Sequence, residues 1–281
     1  LLIPPSIIMI VYGVSAEVSI AQLFIAGVLP GVMLALLFSG YLVVWALFNP
    51  GLVPPADAPM SFGAKLRESR HLVPVMLLIA AVLGSIYSGL ATATEAAAVG
   101  VLGALAISAA QGTLTWTTFK VSLLGGTRLY CMIALILAGA AFLTLSMGYI
   151  GLPRHLAEWI GTLGLSPWQL LAALMLFYIV LGCFLDGISM VVLTMGVILP
   201  TVQKAGIDPL WFGIFVVLVV EMAQITPPVG FNLFVLQGMT RREIGWISRV
   251  TLPFFLLMVA AVVLIYVFPQ IVNWLPAQMR S

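Results

Sequence analysis

The chain has 281 residues, 63% of them hydrophobic and 7% charged, with a mean hydropathy of +1.21 and a formal net charge of +2. A water-soluble domain needs far more surface charge, so this composition excludes one and asks for a lipid bilayer as solvent. The small net charge gives no footing for nucleic acid as a partner.

The chain opens Leu1-Leu2-Ile3-Pro4-Pro5-Ser6, with no initiator Met, basic segment or cleavage signature. It is therefore no signal peptide, and it reads as the middle of a longer sequence, with residues expected upstream. Apolar runs follow at residues 7–14, 21–48, 72–90, 95–110, 129–147, 167–185, 188–200, 210–225, 231–239 and 247–268. Run 188–200 makes about 20 Å of helix against about 30 Å of hydrocarbon, so it does not cross alone. Residues 167–200 are expected to enter and leave from one side as a re-entrant hairpin. Residues 111–120 and 153–163 look amphipathic and are expected to lie along the interface as connecting arms.

The basic residues set an orientation. With residues 13–20 outside, Lys65, Arg67, Arg70, Lys120, Arg128, Arg241, Arg242 and Arg249 fall inside, and only Arg154, Lys204 and Arg280 outside. Each Trp lies near the end of an apolar run, where its amphipathic ring suits the membrane interface. Cys131 and Cys183 sit inside apolar runs and read as packing residues. His71 and His155 are far apart, so no cluster has transition-metal spacing and no cofactor is expected.

Two proline pairs carry the functional argument. Pro4-Pro5 and Pro227-Pro228 each follow a β-branched residue, Ile3 or Thr226, and each precedes a short apolar half-helix and a small polar turn. Pro30 and Pro253 then lie 26 residues beyond the first proline of each pair, each expected to open a further apolar span. Successive prolines remove two donors and break a helix. A break survives at membrane depth only against protein or a wet cavity. Residues 3–6 and 226–230 are therefore expected to be unwound inside the protein. The orientation runs the two repeats in opposite directions, and inverted repeats with matched broken helices point to a midplane binding site.

The ordered motifs Ile3-Pro4-Pro5-Ser6, Ala91-Thr92-Ala93-Thr94-Glu95-Ala96-Ala97-Ala98-Val99-Gly100, Gly206-Ile207-Asp208-Pro209 and Thr226-Pro227-Pro228-Val229-Gly230-Phe231-Asn232-Leu233-Phe234 resemble the large membrane subunit of tripartite ATP-independent periplasmic (TRAP) transporters over essentially the whole chain. The fold this implies is an all-α polytopic membrane protein with inverted repeats, broken helices and a re-entrant hairpin, an elevator fold lacking its N-terminal part. A first hairpin, which that subunit carries before the Ile-Pro-Pro-Ser stretch, would lie upstream with half of one sodium site. Residues 1–20 and 166–240 would form a transport block, 21–165 the scaffold and arms, and 241–281 a final membrane helix and tail. The resemblance further implies sodium-coupled uptake of a small organic acid, such as a dicarboxylate or a sialic acid, across a bacterial or archaeal cytoplasmic membrane. A small membrane subunit and a periplasmic substrate-binding protein would be its partners.

Asp186, at the expected hairpin tip with Gly187 and Ser189, is costly in a membrane and needs a partner. It reads as an ion ligand or as a helix cap. Thr226, Pro227, Pro228, Val229, Gly230 and Asn232 read as an ion site built mostly of backbone carbonyls, or as groups satisfying a broken helix. Pro4, Pro5 and Ser6 would serve the other sodium site. Thr94 and Glu95 open an Ala-rich helix and suit its positive end as well as a transport role. Glu221 reads as an ion relay or one side of an interhelical ion pair. An enzyme would want a Ser/His or His-Glu-x-x-His arrangement, and the sequence has none. The competing reading is a carrier, channel or scaffold subunit without sodium coupling.

Overall fold

The structure is a computed structural model, described for residues 2–53, 61, 63–64, 69, 72–227 and 230–278. Among the described residues the regular elements are helices: α1 (Ile7–Ser15), α2 (Ile20–Phe48), a 3-10 turn (Pro50–Leu52), α3 (Val73–Tyr87), α4 (Ala93–Ala110), α5 (Trp116–Ile150), α6 (Leu152–Thr162), α7 (Pro167–Leu181), α8 (Gly187–Lys204), α9 (Pro209–Gln224), α10 (Phe231–Thr240), α11 (Ile244–Val267) and α12 (Gln270–Gln278). Five of them, α2, α4, α5, α8 and α11, are long and apolar enough to cross a membrane. The chain is a multi-pass membrane protein. It divides into two compact units, Leu1–Phe38 with Cys131–Ser281, and Ser39–Tyr130.

The smaller unit holds α3 packed on α4. Gly103 makes the contact possible, since a Cβ there would lie 2.4 Å from Leu78 Cδ1. The first turn of α4 is closed by a capping box. Thr92 N–H donates to Glu95 Oε2 at 2.8 Å, and Glu95 N–H donates back to Thr92 Oγ1 at 3.3 Å.

The larger unit is built around α9. Its run Leu-Trp-Phe-Gly-Ile-Phe-Val-Val-Leu-Val-Val is apolar all round, the signature of a helix enclosed by others. Residues Leu210–Val220 are indeed all buried. Asp208 caps this helix by accepting from Leu210 N–H, and Pro209 occupies the first turn, where no N–H is needed. Helices α1, α7, α8, α10, α11 and α12 all pack on α9. Two polar ties fix its start: Tyr12 O–H donates to Pro209 O at 2.6 Å, and Trp211 Nε1–H donates to Ile265 O at 3.1 Å. Trp211 is therefore a core residue rather than an interface anchor, 5% exposed. Gly213 leaves room for the Tyr12 ring, which approaches its vacant Cβ position to 2.6 Å.

Helices α7 and α8 are the legs of the expected hairpin. Both lie on α9, and they meet each other through Tyr178 and Thr194, whose hydroxyls are buried and 2.7 Å apart. Thr194 donates to Met190 O, which leaves Tyr178 as the donor to Thr194. The Tyr178→Phe variant removes that bond without leaving a buried donor unpaired. It is expected to cost about 0.6–1.5 kcal/mol, seen as a modest fall in unfolding midpoint with the helix content unchanged.

Several boundaries differ from expectation. Helix α8 does not stop at Pro200 but runs on to Lys204, 18 residues in all, so its length alone does not forbid a crossing. Residues 111–120 are no separate arm, because Trp116 opens the 35-residue α5. Residues 153–163 do form a short amphipathic helix, α6, packed on α8. On its outer side Arg154 pairs with Glu158 at 2.9 Å, holding that carboxyl below the ordinary glutamate range. Pro30 and Pro253 open no span; each lies inside a continuous helix, α2 or α11.

The two proline stretches lead into helices in the same order, one residue out of step with the prolines themselves. Ile7 and Phe231 start half-helices, and Ile20 and Ile244 start the long helices that follow, both pairs 224 positions apart. Glu17 and Arg241, in the turns between them, share the same spacing and a φ of 55°. These are the only non-glycine residues with positive φ among those described. Such a conformation is uncommon outside glycine, asparagine and aspartate.

Candidate functional site

The first proline pair is unwound, as expected. Residues 3–5 form a bend with a cis Pro4-Pro5 bond, and Ser6 caps α1 by accepting from Met9 N–H at 3.4 Å. Pro4 and Ser6 are buried and Pro5 is exposed. The bend sits on small residues of α2. A Cβ on Gly27 would come within 2.9 Å of Leu2 O, and one on Gly31 within 2.7 Å of the Ile3 side chain.

The second break lies between the end of α9 at Gln224 and the start of α10 at Phe231. Pro228 and Val229 fall outside the described residues, while Ile225, Thr226, Pro227 and Gly230 are all non-helical. Thr226 Oγ1 donates to Met222 O at 2.7 Å, and Thr226 N–H to Ala223 O at 3.2 Å. The hydroxyl thus ties down the helix end and keeps its oxygen lone pairs for another partner. Pro227 and Pro228 have no N–H to offer the carbonyls before them. Gly230 lies where those carbonyls converge: its vacant Cβ position is 2.6 Å from Gln224 O and 2.8 Å from Thr226 O. Both are backbone oxygens, the donor type that hard cations take. Asn232, at the second position of α10, is partly buried.

Asp186 sits between the hairpin legs as the N-cap of α8. Its Oδ2 accepts from Ile188 N–H at 3.1 Å and Ser189 N–H at 3.2 Å, and its Oδ1 accepts from Ser189 Oγ–H. The cap uses three of the roughly four acceptor positions of a carboxylate. Asp186 is solvent-exposed and Ser189 partly buried.

Gly187 is where these parts meet. A Cβ on it would strike Gln224 Nε2 at 2.3 Å, Val220 Cγ1 at 2.7 Å and Ile8 Cδ1 at 3.1 Å, so the tip touches both α9 and the first turn of α1. Gly182, at the other side of the tip, rests on Ala223, whose Cβ would collide with a Cβ placed on Gly182. Cys183 Sγ lies 3.5 Å from Pro227 O. These contacts join the hairpin tip at Gly182, Cys183 and Gly187 to the end of α9 at Val220, Ala223 and Gln224, to Pro227 of the second break and to Ile8 of α1. Glu221 is on the same helix end, partly buried. Thr94 and Glu95 belong to the smaller unit, where Glu95 completes the α4 cap and both are exposed. Among the described residues, no group of three or more His, Cys, Asp or Glu is placed to hold a metal ion.

Sequence reading missed three participants. Gly182 and Ala223 carry no chemical signal of their own. Gln224 did give one, an amide inside the apolar run 210–225, two residues before Thr226.

Residues 1–271 match the family described as tripartite ATP-independent periplasmic transporter, DctM component. The chain is 33% identical to the C4-dicarboxylate TRAP transporter large permease protein DctM of Pseudomonas aeruginosa, over 98% of this chain and 65% of that protein. It is 32% identical to the protein of the same name from Rhodobacter capsulatus, over 98% of this chain and 66% of that protein. To the ectoine/5-hydroxyectoine TRAP transporter large permease protein UehC of Ruegeria pomeroyi it is 33% identical, over 98% of this chain and 64% of that protein. These relatives are permeases and not enzymes, and the chain spans just under two thirds of their length. The chain, matched from residue 1 to residue 271, belongs to the DctM-component family of tripartite ATP-independent periplasmic transporters.

Proposed function

We propose that the chain is the ion-coupled transport part of a large permease that takes up a small organic acid with sodium. The observation that carries this reading is the approach of Gln224 O and Thr226 O to Gly230, with the Gln224 side chain against Gly187 of the hairpin tip. Carbonyls at a broken helix are a usual way for a transporter to hold a cation within the membrane. Thr226 Oγ1 and the remaining acceptor position of Asp186 would supply further oxygen at a junction of tip and break. The names of the relatives support C4-dicarboxylates first and ectoine-like solutes second.

In this reading the junction explains coupling. A cation held by carbonyls of the second break draws them toward the tip and seats Gly182 and Gly187 against α9. The N-terminal end of α10, whose first N–H groups carry partial positive charge, then faces a substrate carboxylate. The matched α1–α2 and α10–α11 segments would run through the membrane in opposite directions. Residues 1–20 and 166–240 would slide as a block against the scaffold of residues 21–165. The cytoplasmic membrane is the proposed location. A small membrane subunit and a periplasmic binding protein that delivers the substrate are the proposed partners, in keeping with the tripartite family.

The test is uptake of a labelled C4-dicarboxylate into proteoliposomes holding the full-length permease with both partners. Uptake that requires an inward sodium gradient and is competed by ectoine only weakly is the expected result. Equal uptake in choline or potassium buffer would remove the coupling claim. Stronger competition by ectoine than by unlabelled dicarboxylate would reassign the substrate.

A further inference from the structure

Helices α7 and α11 both pack on α9 and leave a cleft between them near the start of α9, away from the proline break. Its membrane-side part is a cavity of about 280 Å³ in which every described lining residue is apolar or aromatic, among them Met175, Phe215 and Val262. Leu171, Trp211 and Tyr266 line this cavity and also a second one of about 240 Å³, so the two form one groove. The second part is polar: Asp208 and Pro269 come from the turns beyond α9 and α11, and Asn273 from α12. Trp168 and Tyr266, 56% and 41% exposed, stand beside the groove near the ends of α7 and α11. Such amphipathic rings mark the level of the membrane interface. From Trp168 the apolar part descends to Met175, about 10 Å of helix. The groove thus runs from a polar end through aromatic rings to an apolar end, the order of a lipid from head group to chain.

Asp208 is the only charged residue among the described residues lining either part. Its Oδ1 accepts from Leu210 N–H, and the carboxylate keeps further acceptor positions. Lys204, four residues earlier, is turned to α6 instead, 3.9 Å from the vacant Cβ position of Gly161, and acts on the Glu158 carboxyl. Asn273 Oδ1 is buried and has no hydrogen-bond partner among the described residues, which is uncommon for such an atom. The polar end therefore offers two acceptors, one of them charged, and no cation.

We infer that this groove is a binding site for a phospholipid whose head group ends in a primary ammonium, as in phosphatidylethanolamine. One acyl chain fills the apolar part between α7 and α11. The ammonium gives Asp208 its counter-charge and brings N–H donors to the end that Asn273 lines. A choline head carries the charge without an N–H, and a glycerol head carries no cation at all, so neither serves both acceptors. The wall chemistry favours a lipid over a helix of another protein. Helices that associate in a membrane meet through small residues, whereas this cleft is walled by Trp, Met, Phe and Val, with Ala172 the small exception. An organic acid is repelled by Asp208 and finds no donor in the apolar part. The inference is independent of the sodium reading, since the groove lies at the opposite end of α9 from Thr226.

The test uses the full-length permease with its partner subunits in vesicles, and phosphatidylethanolamine carrying a photoreactive diazirine in one acyl chain. Labelled positions are mapped by peptide mass spectrometry. Labelling is expected on α7 between Trp168 and Met175 and on α11 near Val262 and Tyr266. Unlabelled phosphatidylethanolamine should compete at a mole fraction about fivefold below that of phosphatidylcholine or phosphatidylglycerol, the scale of one partly exposed charged contact. Asp208→Asn keeps a helix-capping side chain and removes the charge. It is expected to bring the three competitors within about twofold of one another. Ala172→Phe fills the apolar part from an exposed position and should lower labelling of the groove, while labelling elsewhere on the protein stays native. Equal competition by the three lipids in the native protein shows ordinary annular lipid and overturns the inference. So does an undiminished preference in Asp208→Asn, or an Ala172→Phe variant labelled in the groove as strongly as native. A groove that takes no lipid label and crosslinks to the small membrane subunit instead overturns it in favour of that partner. Should neither variant purify, the competition series on the native protein decides alone.

Discussion

Gly230→Ala is expected to reduce sodium-driven uptake by at least about tenfold while the protein still inserts and purifies. The added methyl would sit 2.6 Å from Gln224 O and 2.8 Å from Thr226 O. Both are backbone atoms, so no rotamer change relieves the clash, and the chain on one side of the break has to shift. Overpacking of this kind costs about 1–3 kcal/mol, and 1.4 kcal/mol is about tenfold in an equilibrium constant. The shift separates the two carbonyls, so the loss should appear chiefly as a raised sodium requirement. Uptake with native sodium dependence in this variant would mean that the convergence of carbonyls at Gly230 has no part in coupling.

Gly182→Ala should be the second severe lesion, and it can be repaired. Its methyl would fall 2.3 Å from Ala223 Cβ and 3.2 Å from Ala223 Cα, prising the hairpin away from α9. The cost is again about 1–3 kcal/mol. Ala223→Gly in the same chain removes the obstructing methyl, at a helix-propensity cost of about 1 kcal/mol. The double variant is expected to recover most of the uptake and unfolding midpoint that the single variant loses. Independent, additive losses in the double variant would contradict contact between the tip and the helix end, since residues in contact couple and distant ones do not.

How much of this was legible in the sequence follows from which physics governs each part. The breaks could be read because proline lacks an N–H wherever it stands, and Pro4-Pro5 and Pro227 do lie in unwound chain. The Asp186 cap could be read because a short acceptor before an apolar run has few other uses. Helix ends inside lipid-like sequence were less legible. The run 188–200 looked closed by Pro200, yet Thr201 and Val202 are buried and the helix continues past them. Lys120 and Arg128 seemed to part the chain before residue 129, but both are exposed on the continuous α5. A backbone ladder does not depend on side-chain polarity. The place of Gln224 was the hardest to foresee. Helix α9 is apolar on every face, so periodicity does not say which face turns toward the tip. The contact also spans residues 187 and 224, a separation on which local sequence is silent.

Cys183 reports on the central claim most directly. Its thiol lies 3.5 Å from Pro227 O, at the seam between tip and break. In full-length permease with Cys131, the other free cysteine, replaced by Ser and any cysteines elsewhere in the protein treated likewise, the rate of Cys183 modification by a maleimide can be followed as sodium replaces potassium. If a cation draws the break onto the tip, sodium slows the reaction by at least about fivefold, as a shift of roughly 1 kcal/mol toward the closed seam requires. An identical rate in sodium and potassium would show that the seam does not respond to the ion, and would contradict the account.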